Sequence, residues 1–152
     1  MNFEKIYEFQ NEIEKQLQNR TDLQGKSLIS QKLLALQVKI GELASETQCF
    51  KFWLSKKSPI RRRILEKYIE ALYIVFSIGI EKGFQETEFP VKKSDCELTN
   101  HFLNLFIDIN DFMVCSSKDH YITLIEDLLS LSLDFDFSED DILGTYSKVY
   151  TA

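Results

Sequence analysis

The fold is constrained most by the run from Leu28 to Gly83, where apolar residues recur at helical spacing through two long stretches parted by one short polar corner. The first stretch, Leu28 to about Trp53, carries Leu33, Leu34, Leu36, Val38, Ile40, Leu43 and Ala44. It is apolar over most of its girth, which predicts a central helix. The second opens at Ser58-Pro59, read as N-cap and first helical position, and runs to about Lys82 before the stop at Gly83. Its apolar set is Ile64, Leu65, Tyr68, Ile69, Leu72, Val75, Phe76 and Ile80. Arg63, Glu66, Lys67, Glu70, Ser77 and Glu81 are left as a polar strip.

The flanks read the same way. Phe3, Ile6, Tyr7, Phe9, Ile13 and Leu17 predict a first helix, closed by the polar break Arg20 to Ser27. After a loop from Gln85 to Glu97, Phe102, Leu105, Phe106, Ile109, Phe112 and Met113 form one stripe. Tyr121, Leu124, Ile125, Leu128, Leu129 and Leu131 form the next. Ser138-Glu139-Asp140-Asp141 has the form of a capping box opening a short last helix through Tyr150. With five glycines and two prolines, the expectation is an all-α bundle of about six helices, residues 1–152 forming a single domain.

A net charge of −6 gives the surface as a whole no attraction for nucleic acid, so none is expected as a partner and any nucleotide site must be local. The basic cluster Lys56, Lys57, Arg61, Arg62 and Arg63 is either a place to meet phosphates or a solvated corner between helices. Cys49, Cys96 and Cys115 form no CxxC pair, and there is no signal peptide and no apolar run near a membrane span. A reducing, cytoplasmic setting without membrane contact is expected. The five-residue steps Cys96 to His101 and Cys115 to His120 are looser than zinc motifs and read as coincidence.

The chemistry concentrates on the two long helices. Lys39 with Glu42, and Lys67 with Glu70, are each three apart and share a helical face. Glu42 with Glu46, and Glu66 with Glu70, are four apart. Carboxylates so spaced on adjacent helices can hold Mg²⁺ against a triphosphate, although alone such residues are more often surface or salt-bridged.

The blocks Gly41-Glu42-Leu43-Ala44-Ser45-Glu46, Phe50-Lys51-Phe52-Trp53, Glu66-Lys67-Tyr68-Ile69-Glu70-Ala71-Leu72-Tyr73 and Ser77-Ile78-Gly79-Ile80 resemble the dimeric dUTPases of the all-α nucleoside triphosphate pyrophosphatase superfamily. Tyr7-Glu8-Phe9-Gln10 is similar to that family's first helix, and Asp140 to Lys148 to its last, so nearly the whole chain is covered. The resemblance implies an all-α homodimer, Mg²⁺, and hydrolysis of dUTP to dUMP and pyrophosphate. It implies a uracil-nucleotide site that includes Gln10, Lys51 and Trp53, and it sets Glu14 where the family often has Asp or Asn. It further implies a metal motif of Glu-x-x-Glu and Glu-x-x-Asp, which falls here on Lys39, Glu42, Lys67 and Glu70.

Only the second member of each pair keeps an acid, so two Lys and two Glu sum to zero where four carboxylates would sum to −4. An ammonium cannot ligate a metal, and at roughly 4 Å and an effective dielectric of about 20 it opposes a dication by several kcal/mol. The lysines are expected to pair with the glutamates, either within each helix or across the two. Tyr73 stands where the family commonly has His, and Lys148 to Ala152 where it continues into an Asn- and Arg-containing phosphate-binding tail.

Three readings follow. One is a dUTPase-like protein with impaired or lost catalysis, Glu42 and Glu70 being remnants, that keeps the dimer and binds a nucleotide or a regulatory protein. A second is an active Mg²⁺-dependent dUTP or dUDP pyrophosphatase using Glu42, Glu46, Glu66 and Glu70. A third is an unrelated helical interaction domain.

Overall fold

A computed structural model describes residues 1–150; Thr151 and Ala152, the end of the segment compared with the family tail, lie outside the described residues. Six helices follow in order: α1 (Glu4–Gln18), α2 (Ile29–Thr47), α3 (Arg61–Lys82), α4 (Leu98–Val114), α5 (Lys118–Asp134) and α6 (Glu139–Tyr150). Among the described residues the extended pairing is a single bridge between Asn2 and Glu88. The all-α expectation holds.

The axis of the molecule is α3, which packs against α1, α2, α5 and α6. Its buried side chains include Ile64, Tyr68, Ile69, Leu72, Val75 and Phe76. Tyr68 donates from its hydroxyl to the Leu128 carbonyl at 2.9 Å, and Tyr121 to the Val75 carbonyl at 3.1 Å, so both aromatic bodies are buried with their polar tips satisfied. The approach of α5 depends on Gly79, because a Cβ there would lie 2.7 Å from Cζ of Tyr121. Gly83 closes α3 with φ at +76°, the left-handed stop expected from sequence.

Two boundaries differ from expectation. Helix α2 ends at Thr47, not near Trp53, because Gln48 turns left-handed with φ at +60° and Cys49 to Leu54 fold into tight turns. Helix α3 starts at Arg61, because Ser58 is held outside it by a bond from its N–H to Oε1 of Gln48. Ile60 takes the cap position without a side-chain hydrogen bond. Neither is α2 enclosed all round: Leu34 and Val38 are exposed, as are Phe106 and Met113 on α4. The last cap is as expected, Asp141 N–H bonding Ser138 Oγ at 3.0 Å and Ser138 N–H bonding Asp141 Oδ2 at 2.9 Å.

Candidate functional site

Because α2 and α3 run antiparallel, their polar strips bring Lys39 opposite Glu70 and Glu42 opposite Lys67. Lys39 Nζ lies 3.3 Å from Glu42 Oε2 and 3.0 Å from Glu70 Oε2. Lys67 Nζ lies 3.2 Å and 3.3 Å from the same two atoms. Both pairings open at the sequence level, within a helix and between helices, are therefore made together. The four groups form a closed ring in which each ammonium touches both carboxylates.

The electrostatics follow from that ring. A hydrogen bond from Lys67, joined by one from Lys39, holds the Glu42 carboxyl below its ordinary range against a smaller desolvation effect. Glu70 raises Lys39 and Glu42 raises Lys67, each chiefly through a hydrogen bond. Each charge is thus fixed by two opposite neighbours.

As a donor set for Mg²⁺ the ring does not fit. A hard dication wants several anionic or neutral oxygens, and here the Oε2 atom of both acids already accepts from two ammonium groups. Glu66 turns instead toward Arg62, with 3.5 Å between Oε1 and Nε. Among the described residues no three acidic, His or Cys side chains stand close enough to hold a metal ion, so Glu46 and Glu66 are not gathered with Glu42 and Glu70. The Cys–His steps are engaged elsewhere: His101 sits between Asp134 and the Asp127 carbonyl, and His120 against the Cys115 carbonyl.

A second polar network was not anticipated. Gln10, Glu14 and Lys32 are buried, and Gln10 is wholly so. Lys32 Nζ lies 3.3 Å from Glu14 Oε2 and 3.8 Å from Glu81 Oε2, and donates to the Ser77 carbonyl at 3.4 Å. Ser77 Oγ bonds Glu14, and Glu81 accepts from the Leu28 N–H at 2.7 Å, tying α3 to the start of α2. Gln10 donates to Glu14 at 3.0 Å, and its carbonyl oxygen accepts from the Tyr146 hydroxyl. Both ends of the Gln10 amide are therefore occupied by protein groups.

The signal for this network lay in register. Phe3, Ile6, Gln10 and Glu14 step by three, four and four along one seam of α1, and Lys32, Leu36 and Ile40 step by four along one seam of α2. The polar residues continue apolar seams. Glu14, which stands where the family often has Asp or Asn, is a core group.

Above Gln10 sits an aromatic cover. Tyr73 stacks on Tyr150 at 4.4 Å between ring centroids, and Tyr150 meets Tyr146 at 5.0 Å. Burial raises all three phenols, with the Glu70 charge adding to the effect at Tyr150. The C-terminal turn of α6 thus lies over α3 beside the ring of ion pairs. Lys51 and Trp53 are in the turn region after α2, Trp53 well exposed and packed edge-on against Phe50 and Phe52. Among the described residues they share no hydrogen bond or ring contact with Gln10.

A family model described as dUTPase matches residues 2–152 of the chain. No curated protein and no solved structure matches it.

Proposed function

The chain belongs to the dUTPase family, whose pattern runs through residues 2–152, and we propose that it is a dUTPase-like protein with catalysis impaired or lost and binding retained. The observation that carries this reading is the closed ring of Lys39, Glu42, Lys67 and Glu70. In the family, conversion of dUTP to dUMP and pyrophosphate relies on Mg²⁺ held at these four positions. Here two ammonium groups supply the positive charge from within the chain, and no step of hydrolysis is derived through a metal.

What is retained, on this reading, is a homodimer and a site for a uracil nucleotide or a regulatory protein, in a cytoplasmic setting. Support for association comes from α4, where Leu103, Phe106, Ile107 and Val114 stand exposed, as do Leu34 and Val38 of α2, the helix that packs against it. No helix is long and apolar enough to cross a membrane among the described residues, so that face is not explained by a membrane span. For a nucleotide, Lys51 and Trp53 are accessible, whereas Gln10 becomes so only if Tyr146 lets go.

A pyrophosphate-release assay with dUTP and dUDP tests the proposal. The native chain should give no metal-dependent turnover. The double variant Lys39→Glu, Lys67→Glu should gain affinity for Mg²⁺, seen as a rise in melting temperature on adding the metal. Brisk Mg²⁺-dependent release by the native chain would favour the active reading, with Glu46 and Glu66 recruited as ligands.

A further inference from the structure

Between Lys51 and Arg63 the chain carries six cations, Lys51, Lys56, Lys57, Arg61, Arg62 and Arg63, and no acid, within a protein of net charge −6. The same segment holds the most exposed aromatic side chain, Phe52 at 87%, with Trp53 at 60%. Three of the cations are engaged. Arg61 bonds the Asp136 carbonyl and Asp141, Arg62 pairs with Glu66, and Lys57 donates to the Cys49 carbonyl. Lys51, Lys56 and Arg63 have no side-chain partner among the described residues. The three arginines also open α3 at its positive end, with no acid in the first turn, where cations are disfavoured. Pairing accounts for Arg61 and Arg62, and it leaves Arg63 unexplained.

We infer that this corner is a docking surface for single-stranded nucleic acid, its unpaired cations following the phosphates and Phe52 and Trp53 offering faces for bases. Two other polyanions fit the corner less well. An acidic peptide can be held by an arginine cluster alone and would leave the exposed rings of Phe52 and Trp53, on the turns after α2, without a role. An anionic bilayer is flat, and would meet the acidic start of α6 that Asp141 brings against Arg61. A flexible strand can follow the exposed rings and cations and skirt the acids. The inference does not depend on whether dUTP is hydrolysed.

The test is fluorescence anisotropy of the full chain with a labelled oligothymidylate of about 15 nucleotides. Binding should weaken with salt with a log–log slope near −2, about 0.7 for each of three phosphate contacts. Phe52→Ala should weaken it by at least about fivefold, and Lys56→Glu with Arg63→Glu should abolish it, while circular dichroism confirms that each variant stays folded. The inference is overturned if the oligonucleotide fails to bind at low salt or if Phe52→Ala binds as well as the native chain. It is equally overturned if polyglutamate or phosphatidylserine vesicles bind as tightly and compete.

Discussion

At the scale of single residues, the outcome is decided by how charges are paired rather than by how many there are. Lys32 is nine-tenths buried and stands between Glu14 and Glu81. Lys32→Met leaves those carboxylates buried without their cation and should cost about 3–5 kcal/mol, read from urea unfolding. Lys39 and Lys67 are about 30% exposed, so their pairs are screened, and losing either should cost only about 1 kcal/mol. Asp108 is the opposite case. Burial first, then a hydrogen bond with Asp127 and the charges of Asp127 and Asp111, push its carboxyl up to about 8 from 3.8. The native state therefore binds more protons than the unfolded one between those values, and stability falls as pH rises through about 8. Asp108→Asn, which cannot ionise, should raise the melting temperature at pH ~9 far more than at pH ~5, checked by thermal melts at both.

At the scale of elements, register and chemistry pull apart. The apolar seams of α3 and α5 were legible because all but Ser77, Ser130 and Ser132 of their buried side chains are apolar or aromatic, and Tyr121, Leu124, Ile125, Leu128, Leu129 and Leu131 are all buried. The seam of α1 was only half legible: Gln10 and Glu14 occupy core positions that an apolar pattern cannot flag, and their partners, Ser77 and Tyr146, lie 63 and 136 residues away. The end of α2 was missed because Phe50 and Trp53 extend the hydrophobic count although the backbone has already turned at Gln48. Gly79 gave no sequence warning either, since only the arrival of Tyr121 makes it necessary. Gly79→Ala should cost about 1–3 kcal/mol through overpacking, read from the denaturation midpoint, with Gly41→Ala, where nothing lies within 4 Å, as the tolerated comparison.

At the scale of the whole molecule, the candidate site was legible in its residues but not in its closure. Spacing put Lys39 with Glu42 and Lys67 with Glu70; only the antiparallel packing of α2 on α3 joins the pairs into one ring. The exposed apolar stripe of α4 shares no residue with this site, and Ile107→Arg should turn an associated form into a monomer by light scattering if that stripe is the contact between copies. The ring itself is tested most directly by titrating magnesium chloride into the native chain in a calorimeter, beside the Lys39→Glu, Lys67→Glu variant. The native protein should give no saturable heat and the variant a binding isotherm. Saturable magnesium binding by the native protein, lost on Glu42→Gln, would contradict it.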